Sequence, residues 1–300
     1  MRVTQLEISR NFLADIEQLN RSLADINRQL SSTKKLNTLS DSPFGSASLV
    51  DISEQAQRLE TYRFNITSSS YQLKSAESAL NAVNNAFVSI HTLGMRAANE
   101  PMNAESRQAI LDEIENIREE LISRANTQVD GRFLFAGSSV GAQPFVLNTA
   151  TDTVEYHGNG TVNRVPVGDS VQVVAGVSGD QFYSVFEVVD GLIAAIKNSI
   201  DPGNPGTIQD IGAVLDGFSA AMDELGQARG QLGVSISMTD RMQAMLDSRN
   251  GVLREQRSHI EDANIAEIAT RIGQLQLALN AAMSAGSVVL QQNNLFDVVG

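Results

Sequence analysis

The chain has 300 residues, with 35 acidic against 22 basic side chains and a formal net charge of −13. That excess is repelled by phosphate backbones and anionic membrane surfaces, so nucleic acid is not an expected partner. The absence of cysteine removes disulfides, thiol catalysis and cysteine-based metal sites together. With 42% hydrophobic but only 5% aromatic residues and no Trp, a core of Leu, Ile, Val and Ala is expected, a composition suited to helix packing.

The first segment, MRVTQLEISRNF, lacks the apolar stretch of roughly 7–15 residues that a cleaved secretory signal carries. No apolar run reaches about 18 residues, so no membrane insertion is expected. Phe12, Ile16, Leu19, Leu23, Ile26 and Leu30 then recur at alternating steps of four and three, the heptad seam of a coiled coil. A helix over about residues 3–33 would be about 45 Å long and could not form a core from so narrow a stripe, so it needs a partner.

Ser42-Pro43 reads as an N-cap followed by proline at the first helical position. Helical spacing continues through Leu49, Ile52, Ala56, Leu59, Ile66, Leu73, Ala76, Leu80, Val83, Phe87, Ile90 and Gly94 to a stop at Glu100-Pro101. Asn103 caps the next helix, which carries Ile110, Ile114, Ile117 and Leu121 and fades near the Asp130-Gly131 turn. Residues 132–182 are short β-rich segments (RFLFAG, PFVL, TVEYHG, NRVPVG, SVQVVAG) read as a small antiparallel region. A short helix is expected at about 185–199 and a loop at DPGNPG, 201–206; helical pattern resumes from Ile208 to Ile260. Glycines at 226, 230, 233 and 251 weaken that last helix, with Asn250-Gly251 a candidate kink. Finally Ile265, Ile268, Ile272, Leu275 and Leu279 repeat the three-four alternation, continuing through Ala282 and Met283 to Val289 or Leu290. Two narrow stripes at opposite ends of one chain are most simply satisfied by each other.

No catalytic constellation is found. His91, His157 and His259 are scattered without metal-ligand spacing, and each reads as a surface or interface histidine. Gly158-Asn159-Gly160 reads as a hairpin turn, and Gly226, Gly230 and Gly233 as allowing close helix packing; neither matches a phosphate loop. Asp112, Glu113, Glu115, Glu119 and Glu120 read as a solvated helix face, with Arg118 and Arg124 nearby. Met222, Met238, Met242, Met245 and Met283 read as packing filler. No cofactor, metal or catalytic residue is expected. An enzyme or sensor carrying a coiled coil would need a polar pocket around His157, Glu155 and Arg164.

Several segments together resemble the bacterial flagellin superfamily, and within it the subunits of the hook–filament junction. They are MRVT and NFLADI at the start, SSTKKLNTLSDSP, LKSAESALNAVNNAF, ESRQAILDEIENIREELISRANT, GRFLFAG at 131–137, and HIEDANIAEIATRIGQLQLALNAAMSAGSVVLQQNNLFDVV near the end. That family usually has Gly where Thr33 stands and Asp where Ser42 stands. The resemblance implies a mainly α, flagellin-like fold with long antiparallel helices, a terminal coiled coil and an outer antiparallel β domain. It implies a terminal coiled-coil domain from residues 1–45 and 260–300, a helical inner domain from 46–131 and 185–259, and a β domain over 132–184. It further implies a non-enzymatic, extracellular flagellar building block, exported unfolded through the flagellar type III apparatus with a dedicated chaperone. Such a block forms a ring of copies between hook-associated protein 1 and flagellin, a short filament flagellin being the same-class alternative. The residues expected to carry assembly are the two stripes, Phe12 to Leu30 and Ile265 to Leu279.

Overall fold

The computed structural model describes residues 2–38, 40–98, 103–200 and 208–299; for residues 2–6, 8, 9, 208, 209 and 288–299 it describes the backbone alone. The expected stop at Glu100-Pro101, the DPGNPG loop and the side chains of Val289 and Leu290 lie outside the described residues. The fold is mainly α with small β ribbons. Helices α1 (Arg2–Ser32), α2 (Pro43–Ala97) and α3 (Ala104–Ala125) come first. Strands β1 (Gln128–Val129), β2 (Arg132–Phe133), β3 (Phe145–Asn148), β4 (Thr153–Tyr156), β5 (Arg164–Pro166) and β6 (Gln172–Val174) follow. A 3-10 turn at Gly179–Phe182 leads into α4 (Ser184–Ile200), α5 (Ile208–Glu261) and α6 (Ile265–Val299). The chain divides into two compact units: residues 1–58 with 248–300, and residues 59–247.

The helix starts obey local chemistry. Ser42 Oγ accepts the Gly45 N–H at 3.1 Å, and Asn103 Oδ1 accepts the Ser106 N–H at 2.8 Å, each satisfying an orphan donor of the first turn. Asn264 does the same for Ala266 and Glu267 at the start of α6. Helix α5 runs through Asn250-Gly251 without a break. Gly226, Gly230 and Gly233 do not serve close packing either: a Cβ at each would meet nothing within 4 Å. These glycines stand on the exposed side of α5, while Leu225, Ala228 and Leu232 supply the buried side.

In the 59–247 unit, one core joins α2, α3, α4, α5 and the ribbons. Leu73, Leu80, Val83, Phe87 and Ile90 of α2 meet Ile114, Leu121, Phe186, Val189, Leu192 and Leu225, all fully enclosed. Each such side chain contributes about 1.5–3 kcal/mol relative to exposure. Phe87 stacks on Phe218 at 4.6 Å, and His91 lies against the same ring at 4.9 Å, a packing role for that histidine. The β region is three separate antiparallel ribbons, β1–β2, β3–β4 and β5–β6. It begins at Gln128 instead of Arg132, because Asp130 (φ 52°) and Gly131 (φ 72°) form the tip of the first ribbon. Gly158–Gly160 is not a hairpin turn: it links β4 to β5, and the turns of those ribbons fall at 149–152 and 167–171. Val167 and Val173 close a smaller cluster with Ile66 and Leu246, and Asn65 Nδ2 donates to the Pro166 carbonyl at 2.8 Å. Met222, Met238 and Met242 do fill gaps, but Met245 and Met283 are each 52% exposed.

The segment GRFLFAG gains a physical explanation. Phe135 and Ala136 are fully buried, and Phe135 packs edge-on against Phe182 at 5.1 Å. The Phe135 carbonyl accepts from the Gly179 N–H at 2.9 Å and from the Tyr156 hydroxyl at 2.9 Å. Gly137 then turns at φ 69°, and a Cβ there would lie 2.0 Å from the Asn159 carbonyl oxygen. Only glycine fits on both counts. Gly137→Ala is expected to lower stability by about 2 kcal/mol or more. Gly131→Ala, at φ 72° with nothing within 4 Å, should lose only about 1 kcal/mol. Thermal unfolding of the two variants checks this, and equal midpoints would contradict it.

Candidate assembly seam

The terminal unit is built on α1 packed against α6. Two points fix an antiparallel alignment. At one end the Lys35 N–H donates to the Glu261 carbonyl at 2.6 Å and the Ala263 N–H to the Thr33 carbonyl at 3.0 Å. At the other the Phe12 ring rests on Gly286, where an added Cβ would lie 2.2 Å from the ring. Between them, Phe12, Ile16, Leu19, Leu23 and Ile26 are half-buried and share one face of α1. On α6, Ile268 is buried at 5% exposure, and Ile272, Leu275 and Leu279 are half-buried.

The ends of both stripes look outward. Leu30 is 39% exposed and Ile265 is 46% exposed. Met283 leaves the seam, because the four-three alternation from Ile268 continues through Ala282 to Gly286, so position 283 turns outward. Gly286 is the residue that periodicity offered and that an apolar-only template passes over. Its missing side chain is the socket for Phe12. Leu13 and Leu277, 60% and 73% exposed, stand off the seam on the same two helices.

A polar knot closes the inner end. The Glu261 carboxylate pairs with Lys34 Nζ and accepts from Arg257 Nε at 2.6 Å, and its side chain retains only 12% exposure. The two cations, Arg257 first, hold the Glu261 carboxyl below the ordinary carboxylate range. Thr33, at φ 56°, ends α1 in the left-handed region, where a β-branched residue is strained. The glycine usual in the resembled family would carry no such strain.

The remaining ionisable groups form structural contacts. His157 Nε2 lies 3.4 Å from Glu155, both well exposed, and Arg164 stands elsewhere, on β5 opposite Val174. His259 faces Glu255 at 3.9 Å on the surface of α5. Arg118 corrects the solvated-face expectation: its side chain is 5% exposed, not on the polar face of α3. It donates to Asp152 Oδ1 at 2.8 Å, to the Asp152 carbonyl at 3.0 Å and to Asp190 Oδ1 at 3.2 Å. Burial pushes the Asp190 carboxyl up, opposed by the Val154 N–H and by Arg118. The Lys197 bond, then Arg118, holds Asp152 down. These groups fasten the β3–β4 turn to α3 and α4. Among the described residues no cluster of His, Asp or Glu could hold a metal, and no helix is long and apolar enough to cross a membrane.

The fold is flagellin-like, mainly helical with small antiparallel ribbons. Residues 3–140 match the family model of the bacterial flagellin N-terminal helical region. The chain is similar to flagellar hook-associated protein 3 of Escherichia coli K12, at 23% identity over 281 residues, covering 86% of this chain and 87% of that protein. Its fold matches a flagellar hook-associated protein of Vibrio parahaemolyticus, with a TM-score of 0.68 and 21% identity over 74% of this chain and all of that one. It also matches FlgL of Xanthomonas campestris, with a TM-score of 0.62 and 16% identity over 69% of this chain and 99% of that one. The resemblance to the flagellin superfamily and its hook-associated protein 3 is thereby borne out. These relatives are flagellar hook-associated proteins rather than enzymes.

The knot carries a pH signature. A carboxyl depressed in the folded state contributes stability above its ordinary value of 4.5 and withdraws it as pH falls through the depressed value. Acidification below pH about 4.5 should therefore loosen the contact of α1 with α5 and α6, and Glu261→Gln should remove that part of the dependence. Helical content followed against pH checks this; an unchanged acid limb in the variant would contradict it.

Proposed function

We propose that this chain is a structural subunit of the hook–filament junction, self-assembling through its terminal helices. The observation that carries the proposal is the incompleteness of the seam. Within one copy, Phe12, Ile16, Leu19, Leu23 and Ile26 are only partly buried, and Leu13, Leu277 and Met283 are exposed. A pair of helices this poorly covered gains stability from neighbours, the ordering entropy being offset by burial when copies pack. The assembly residues are Phe12, Ile16, Leu19, Leu23, Ile26, Leu30, Ile265, Ile268, Ile272, Leu275 and Leu279.

Likeness to hook-associated protein 3 supports the place. The partners of this proposal are copies of the chain in a ring, hook-associated protein 1 on one side and flagellin on the other. A dedicated chaperone and the flagellar type III apparatus deliver it to the cell exterior. A three-part division into terminal, inner helical and outer β regions belongs to the same proposal.

One observation favours a second reading, a short filament flagellin: the matched family model is the flagellin N-terminal region itself. A deletion strain separates the two. The junction role predicts hooks without filaments and flagellin shed into the medium, whereas a filament subunit predicts hooks with no shed flagellin. In that strain Leu23→Asp should fail to restore filaments while residues 59–247 keep their native unfolding transition. Filaments of normal length from the Leu23→Asp chain would contradict the seam.

A further inference from the structure

The start of α2 carries an apolar knob on one face and helps line a groove on the opposite one. Phe44, the second residue of the helix, is 86% exposed, the highest value for a large hydrophobic among the described residues of the chain. The groove has a cavity volume of about 410 Å³. Leu36, Leu49 and Val50 line it together with Glu54, Arg257, Glu261 and several uncharged polar side chains. Ser53 also lines it. At about 100° per residue, Ser53 lies half a turn out of phase with Phe44, so a copy cannot fill its own groove with its own Phe44.

We infer that Phe44 of one copy seats in this groove of the next copy. A knob and a socket that cannot meet within one molecule generate a head-to-tail contact, which closes into a ring when its rotation permits. Charge favours the same occupant. Residues 59–247 hold 23 acidic against 11 basic residues, a net −12, whereas residues 1–58 with 248–300 hold 12 against 11, a net −1. Copies therefore meet at the knob and groove without the like-charge repulsion that the other unit would impose. An apolar ring set against Leu36, Leu49 and Val50 leaves no charge unpartnered, because Glu54 is paired with Arg58 and Arg257 with Glu261. The inference rests on the self-assembly proposed above and names one of its contacts.

The absence of native cysteine makes the test clean. Phe44→Cys and Ser53→Cys are combined in one full-length chain and expressed in the deletion strain. Isolated flagella are then oxidised and run without reductant. Nine helical residues separate the two positions by about 13.5 Å, beyond the limit of about 7 Å for a disulfide, so any bridge is between copies. The expected result is a ladder of dimers and higher multimers from the double variant and none from either single variant. Assembled flagella that yield only monomer overturn the inference. Should the double variant block assembly, Phe44→Leu must assemble and Phe44→Asn must not; normal assembly by Phe44→Asn overturns it. Failure of the underlying proposal would be seen separately, as normal filaments in the deletion strain before any variant is introduced.

Discussion

Everything in the terminal unit depends on one narrow contact, the antiparallel meeting of α1 with α6. Its geometry is set by small features. Phe12 is admitted because position 286 has no side chain, and the inner end is pinned by backbone bonds between Thr33, Lys35, Glu261 and Ala263. The Lys34–Glu261–Arg257 knot adds a charge-assisted clamp at the same end. A stripe recurring every 3.5 residues is one side chain wide, so a two-helix pair can cover only part of it. The exposure left on Leu30, Ile265 and the half-buried seam residues is the physical expression of that limit.

The 59–247 unit is organised in the opposite way. Its helices each meet several others, its largest aromatic side chains are fully enclosed, and its buried Arg118 is bonded to Asp152 and Asp190. It also carries almost all of the net negative charge. The chain thus separates a self-sufficient, strongly acidic unit from a nearly neutral one whose apolar residues lack full cover. That separation agrees with the proposed self-assembly, in which the nearly neutral unit makes the contacts between copies.

Much of this was legible in the sequence because it is local. Heptad spacing from Phe12 to Leu30, the caps at Ser42 and Asn103, and the β-branched runs between 145 and 174 declare themselves within a few residues of one another. The failures are equally physical. Arg118 sits among Asp112, Glu113, Glu119 and Glu120 and looks solvated; its burial depends on carboxylates 34 and 72 residues away that only the fold brings near. Gly226, Gly230 and Gly233 resemble a close-packing stripe until the opposite side of α5 is seen to be the buried one. Gly286 was passed over because a socket leaves no apolar letter in the sequence. The candidate assembly seam is visible as a pattern, but its incompleteness is a matter of exposed surface and needs coordinates.

The most direct measurement of the central claim is amide hydrogen exchange on the full-length chain, free and in assembled flagella. The account predicts that in the free chain residues 10–30 and 268–286 exchange far faster than residues 73–93 and 185–196. All four segments should be slow once the chain is assembled. Equal, slow exchange of the terminal helices in the free chain would show that α1 and α6 are stable without neighbours, and would contradict it.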